Sequence, residues 1–346
     1  MAAALAAAAL FGASTPLAKQ LTADLPALWL AGLAYLGSGL GLAIVRLVRD
    51  GGWKPPLLSR SDWGWLSGTI AFGGILGPVL LMIGLQTTDG APASLLLNLE
   101  GVFTAVLAWL VFRESTAPRI VLGMLMIIAG SVTLSWSGAG SHETGVTGPL
   151  AIAGACLCWG VDNNLTRRLS NFDALFIAGV KGLAAGVCNT VLAFSVQPLQ
   201  PAWPAVLKAT AIGFAGYGVS LVLFVIALRG LGTARTGAYF STAPFIGAVI
   251  AIVVFGEASS VQFWIAAAFM TGGVWLHVTE RHDHEHRHSP MDHTHSHRHD
   301  AHHRHEHDFA WDGTEPHAHW HRHGTLVHRH AHFPDAHHRH SHSGHP

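Results

Sequence analysis

The chain is 346 residues long, 50% hydrophobic and 12% charged, against about 25% charge in an ordinary soluble domain. Its formal neutrality, 20 Lys/Arg against 20 Asp/Glu, hides two unlike segments: residues 1–281 carry 14 basic and 11 acidic groups among long apolar runs, and residues 282–346 carry 6 and 9 together with 24 of the 26 histidines. A water-solvated core is excluded for the first segment, and a packed hydrophobic core of any kind for the second.

Ten apolar stretches of roughly 20 residues, the length that crosses a hydrocarbon core of about 30 Å, are predicted at 2–21, 27–48, 64–86, 91–112, 118–137, 148–167, 173–196, 207–228, 233–255 and 260–279. The first is Ala-rich and lacks the basic flank of a secretory signal, so it reads as a membrane helix. Trp29, Trp53, Trp63, Trp65, Trp203 and Trp264 fall near predicted ends, as interfacial anchors do. Arg46, Arg49, Lys54, Arg60, Arg113, Arg119, Arg167, Arg168, Arg229 and Arg235 lie on the side shared with the N-terminus, and little more than Lys19 and Lys208 on the other. That bias places both termini in the cytoplasm of a multi-pass protein of the bacterial inner membrane. Cys156, Cys158 and Cys188 sit inside apolar runs, where no disulfide framework is intended. Residues two apart on a helix diverge by about 200°, which weakens a shared metal site for Cys156 and Cys158.

An internal repeat organises the spans. Residues 66–115 align with 209–258 without a gap at twelve identities, including Gly73 with Gly216, Leu85 with Leu228, Ala91 with Ala234 and Glu114 with Glu257. Leu10-Phe11-Gly12-Ala13-Ser14 likewise matches Cys158-Trp159-Gly160-Val161-Asp162, with Lys19 over Arg167. Five spans per half is an odd number, so the halves are expected to insert with opposite topology and to share a site near the bilayer midplane. The fold expected is an all-α membrane protein: ten transmembrane helices as two inverted five-helix repeats, residues 1–137 and 148–280, followed by a disordered histidine-rich tail over 281–346.

The phrase Leu10 to Lys19 resembles the start of an EamA-type unit of the drug/metabolite transporter superfamily, and Ala91–Glu114 and Ala234–Glu257 resemble its fourth helix with the terminal Glu. The resemblance covers residues 1–280. It implies exchange or proton-coupled transport of a small solute, often outward. The second unit keeps the family's proline at Pro244, where the first has Gly101 preceded by Glu100.

A charge at the bilayer centre costs at least about 2.5 to 3.5 kcal/mol on insertion scales, which singles out Glu100 in the fourth span, Asp162 in the sixth and Lys181 in the seventh. They are transport-site candidates, with a structural ion pair between spans as the competing reading. Asn163 and Asn164 can bond a polar solute or a neighbouring helix. Asn98, Tyr217 and Tyr239, with Gln86, fall in spans that line the cavity in the resembled family. Glu114 and Glu257 read as boundary residues near water.

In the tail, His282, His284, His286 and His288 alternate with charged residues, and His293, His295, His297 and His299 repeat the spacing. His302, His303, His305, His307, His317, His319, His321 and His323 continue the series. Imidazole is largely neutral near pH 7 and suits Zn, Ni, Co and Cu, so the tail is expected to bind a divalent metal, although no cofactor is required. The function expected is a secondary transporter, an exporter of a small organic solute by alternating access, with a metal-binding regulatory tail. A divalent-metal transporter ranks second, because the spans lack intramembrane histidines and a dense ligand set; a membrane-anchored metal buffer or sensor ranks third. No nucleophile and base pair or phosphate loop suggests an enzyme. The partners expected are membrane lipid, the solute and transition-metal ions, with a second copy of the chain a candidate for homodimerisation and no nucleic acid.

Overall fold

The computed structural model describes residues 1–52, 58–112, 118–137, 146–169, 172–196, 203–231, 236, 239–279 and four strands between 283 and 331. The helices are α1 (Ala2–Leu21), α2 (Ala27–Asp50), α3 (Arg60–Thr69), α4 (Gly77–Thr87), α5 (Gly90–Leu96), α6 (Leu99–Phe112) and α7 (Pro118–Ser137) in the first unit. The second unit holds α8 (Thr147–Thr166), α9 (Ala174–Val196), α10 (Trp203–Gly213), α11 (Ser220–Leu231), α12 (Ala243–Val253) and α13 (Val261–Val278). A π-helical turn, Ile70–Leu76, joins α3 to α4, and its repeat counterpart, Phe214–Val219, joins α10 to α11.

Among the described residues eight helical segments are long and apolar enough to cross a membrane, with Ala243–Val253 as a shorter apolar helix. The sixth predicted span is a helix of 20 residues, but Asp162, Asn163 and Asn164 make it more polar than those eight. The ninth, expected over 233–255, is described as a helix over Ala243–Val253, with residues 232–235 and 237–238 outside the described residues. Local chemistry sets several ends. Ser59 and Asp62 form a reciprocal capping box at the start of α3, and Gly51, in the left-handed region at φ 63°, closes α2.

The units interlock in a symmetric pattern. α1 packs on α11 and α12 of the second unit, and α8 packs on α4 and α6 of the first. The second span of each unit, α2 and α9, lie along one another, as do the fifth, α7 and α13. The α2–α9 seam is close enough that a Cβ on Gly39 would stand 2.3 Å from the backbone nitrogen of Leu183, so backbones touch where side chains would separate them. Trp29, expected at an interface, is instead buried in this seam, its ring 4.6 Å from that of Phe194. Trp63, Trp65, Trp203 and Trp264 are exposed.

At one end of the seam, Arg49 Nη2 lies 2.5 Å from Asp173 Oδ2 and buried Arg46 Nε lies 3.5 Å from the same oxygen, with its guanidinium over the Phe176 ring. Asp173 also accepts from the Leu175 N–H at 3.0 Å. Burial pushes the Asp173 carboxyl up, but the Arg49 and Leu175 hydrogen bonds and the Arg49 and Arg46 charges outweigh it and hold the group below the usual aspartate range.

Four short strands are described in the tail. Strands β1 (Asp283–His288) and β4 (Leu326–Ala331) pair antiparallel, as do β2 (Met291–His297) and β3 (His317–His323). The physical reason is period. Histidine at alternate positions is a two-residue repeat, which a strand sorts onto one face, and the register sets Glu285 opposite Arg329 and Asp292 opposite Arg322. His282, His299, His302, His303, His305 and His307 lie outside the described residues.

Because the Asp173 carboxyl is held low, its contribution to stability is present above the ordinary aspartate value of about 3.9 and is lost as pH falls through the lower folded value. Thermal unfolding in detergent should therefore show Asp173→Asn below the parent by a constant margin from pH 5 to 8. The margin should shrink as pH falls below the ordinary aspartate value of about 3.9. An equal deficit across the whole range would contradict the linkage.

Candidate functional site

The π-turn at Ile70–Leu76 widens the third span where it passes α8 and α9. It turns the Gly73 carbonyl toward two donors, the Tyr35 hydroxyl at 2.8 Å and the Trp159 indole N–H at 3.1 Å. π-turns inside α-helices frequently mark functional positions. Against the same glycine sits an ion pair, half-buried Lys181 Nζ with buried Asp162 Oδ2. A Cβ on Gly73 would fall 2.1 Å from Asp162 Oδ2 and 2.5 Å from Lys181 Nζ, so the pair needs glycine there. Thr166 donates to the other Asp162 oxygen at 3.2 Å.

At the next residue along α8, a polar group bridges the units. Asn163 Nδ2 donates to Glu100 Oε1 at 2.9 Å and lies 3.2 Å from the Thr104 hydroxyl. Asn163 is exposed and Glu100 half-buried. Asn164 is buried and donates to the carbonyls of Gly160 at 2.8 Å and Thr104 at 3.2 Å. Asp162, Lys181, Glu100, Asn163 and Asn164 are thus brought together from α6, α8 and α9, with two acids and one lysine in the group.

The second unit repeats the geometry without the charge. Gly216, the counterpart of Gly73, lies in the second π-turn, where a Cβ would meet the Ser14 Cβ at 2.6 Å. Ser14 is the repeat counterpart of Asp162 and bonds to its own helix at the Phe11 carbonyl. Tyr217 places its ring 6.1 Å from Phe11 and 5.6 Å from Tyr35, so it joins an aromatic row beside the polar group. Phe240 extends that row to Phe11 and Phe224.

Other candidate residues make their contacts elsewhere. Asn98 is not directed at this group: it is buried at the break between α5 and α6, where its amide donates to the Leu95 carbonyl at 2.8 Å and approaches Met270 Sδ at 3.9 Å. A helix interruption leaves carbonyls to be satisfied, and Asn98 does that. Tyr239 is half-buried, and the contact it makes to Thr242 runs through its backbone carbonyl; Gln86 is exposed at the end of α4. His277 is half-buried in the last turn of α13, with Nε2 3.0 Å from the Ile120 carbonyl. Cys156 is buried with its thiol near the Leu96 carbonyl at 3.7 Å, and Cys158 occupies a less buried position of α8.

Tyr35, Trp159, Gly73 and Thr104 were not singled out by the sequence, nor was the grip on the turn between α4 and α5. There the Glu257 carboxylate accepts from the Gly90 and Ala91 N–H groups at 2.9 and 2.7 Å, and Lys19 Nζ donates to the Leu85 carbonyl at 2.8 Å. The repeat identities Gly73/Gly216 and Glu114/Glu257 were the available signals.

Comparison with known proteins agrees with this architecture. The model of the EamA-like transporter family matches residues 1–136 and again 146–279. An uncharacterized transporter of Methanothermobacter thermautotrophicus is 28% identical over 282 residues, 77% of this chain and 82% of its own. The uncharacterized transporter YetK of Bacillus subtilis is 22% identical over 284 residues, 80% and 86% of the two chains. The probable 4-amino-4-deoxy-L-arabinose-phosphoundecaprenol flippase subunit ArnE of Pseudomonas aeruginosa is 34% identical over 113 residues, 33% of this chain and 94% of its own. A crystal structure aligns with a TM-score of 0.60 over 81% of this chain and 99% of that chain at 23% identity, a likeness of fold.

Removing one partner of a buried pair strands the other charge, at a cost of about 3 to 5 kcal/mol. Asp162→Asn and Lys181→Met should each lower the unfolding midpoint in detergent, and the double variant should lose less than their sum. Additive losses would show that the pair is not coupled.

Proposed function

Since this chain belongs to the EamA-like transporter family, we propose that it exports a small organic solute by alternating access and meets that solute at the cluster of Asp162, Lys181, Glu100 and Asn163. The observation that carries this reading is the bridge from Asn163 in one unit to Glu100 in the other, beside the Asp162–Lys181 pair. Polar groups of this kind are expensive within a bilayer and are kept where a substrate or a proton is handled. Their position between two sequence-related halves is where a site of alternating access lies. Outward movement draws support from the relative whose name is that of a flippase subunit.

The full topology belongs to the same reading: ten crossings in the inner membrane, with both termini in the cytoplasm as the Lys/Arg distribution directs. The tail then faces the cytoplasm, where its histidines bind divalent metal and regulate the carrier. Metal as the cargo has no comparable support. Among the described residues no group of three or more His, Cys, Asp or Glu side chains could hold a metal ion. A metal buffer that does not transport would have no use for Glu100 and Asn163 facing one another.

The test is flux in proteoliposomes against a panel of radiolabelled amino acids, amines, sugars and organic acids, with the orientation of insertion fixed by protease accessibility. A transported class should emerge, and Glu100→Gln and Asn163→Ala should each cut its flux by about tenfold or more, with folded yield unchanged. Flux that survives both substitutions would remove the site, and absence of flux for the whole panel would favour the buffer.

A further inference from the structure

The turn between α4 and α5 is held by a residue of the other unit. Glu257 lies just past α12, where Gly256 takes the left-handed conformation at φ 69°. The Gly256 N–H donates to the Ile252 carbonyl at 3.1 Å and the Glu257 N–H to the Ala251 carbonyl at 3.2 Å, the two bonds that close a helix and fix the residue after it. From that point the Glu257 carboxylate accepts from both the Gly90 and Ala91 N–H groups, at 2.9 and 2.7 Å. Gly90 leaves the room: a Cβ there would stand 2.8 Å from Glu257 Oε1 and 3.3 Å from Pro16 Cα of α1. The residue that ordinarily caps such a helix is idle. Asp89 occupies the N-cap of α5 with φ −66° and ψ 156°, yet its exposed side chain makes no capping hydrogen bond. An N-cap oxygen takes the N–H of the second or third helical residue. Here the third is Pro92, which has none, so the Ala91 N–H is the group Asp89 can cap, and Glu257 already holds it. In the same turn Thr88 is buried with its hydroxyl unpartnered, an unmet group that favours movement of the turn.

From these two acids competing for one N–H we propose that the α4–α5 turn is a gate with exchangeable caps: Glu257 holds it shut, and Asp89 takes over the Ala91 N–H when it opens. The inference rests on the reading of the chain as an alternating-access carrier. On the Lys/Arg distribution the ends of α1, α4 and α12 lie on the face away from the N-terminus, whereas Asn163, near Arg167 and Arg168, lies toward the opposite face. The arrangement is then closed outward, with the cluster of Asp162 and Glu100 reached from the cytoplasm. α12 packs on both α1 and α5, and Lys19 of α1 holds the Leu85 carbonyl at the end of α4, so the grip ties four helices at that face. Release of Glu257 loosens α12 from α5. The exchange keeps the Ala91 N–H satisfied during the movement, which offsets part of the loss of two charge-assisted hydrogen bonds. A permanent structural tie has no use for a second acid in register with the same N–H.

The experiment reads opening with no solute present. A cysteine at Asn163, in the full chain with its native cysteines replaced, is labelled by a membrane-impermeant maleimide added to the outer face of intact cells. The parent should label slowly from outside and readily in inside-out vesicles. Glu257→Ala should raise the outside rate about tenfold or more, and Glu257→Gln, which keeps one acceptor oxygen, should raise it less. Asp89→Ala should act in the opposite sense and slow outside labelling about threefold or more, while Asp89→Asn, still a good cap, should match the parent. If Glu257→Ala does not fold, Glu257→Gln and the two Asp89 variants decide. Fast outside labelling of the parent, no rise in rate with the Glu257 variants at normal folded yield, or an Asp89→Ala rate equal to the parent's would overturn the gate and leave the transport reading standing. Labelling as expected in a protein that moves none of the solute panel would keep the movement and sink the export reading.

Discussion

Much of the membrane unit is arranged around one close approach, that of Gly73 to the Asp162–Lys181 pair. Taking two charges out of water is expensive, and their attraction offsets that cost only with good geometry and with further hydrogen bonds on the remaining acceptors. The structure supplies both. The π-turn brings the third span's backbone up to the pair, the absent side chain of Gly73 leaves the room, and Thr166 takes the second carboxylate oxygen. The carbonyl freed by the turn is taken up by Tyr35 and Trp159. α2, α3, α8 and α9 are therefore tied together at one point, and α6 is brought beside them through Glu100 and Asn163.

The symmetry of the two units makes the asymmetry of the charge informative. Both contain a π-turn at the equivalent glycine, and both set that glycine against the first span of the opposite sequence phase, Asp162 in one case and Ser14 in the other. The backbone device is thus present twice and charged once. The uncharged niche carries Phe11, Tyr217 and Phe240 instead. A polar end and an aromatic end therefore meet at Tyr35, which touches Tyr217 through its ring and Gly73 through its hydroxyl. Under the proposed function, that is the environment a small organic solute encounters between the halves.

How much of this the sequence carried depended on the kind of interaction. Asp162, Lys181 and Glu100 were legible because a charge in an apolar run has few explanations, and the structure brings them together. The repeat was legible because identities at fixed spacing survive divergence, and the family relationship accords with it. Tyr35 and Trp159 were not, because their role is to satisfy a carbonyl that only the π-turn exposes, and backbone irregularity of that sort leaves no periodic signature. Asn98 shows the same limit: an amide inside a span has the chemistry of a ligand group, and only the break at Leu97–Asn98 shows that it bonds the Leu95 carbonyl. Glu257 was read as a boundary residue because position along a span does not reveal which N–H groups a carboxylate will meet from across the unit interface. In the tail, composition pointed to disorder while the alternation of histidine carried a strand period, and the two readings of the same residues part there.

The central claim is that the polar cluster between the units is the place the solute occupies. The most direct measurement is alkylation of a cysteine placed at Asn163, in a chain whose native cysteines are replaced, by a water-soluble maleimide with and without the transported solute. Asn163 is exposed beside Glu100, so the account predicts that the reagent reaches it and that saturating solute protects it. A position that reacts equally with and without solute, or that the reagent never reaches, would contradict the account.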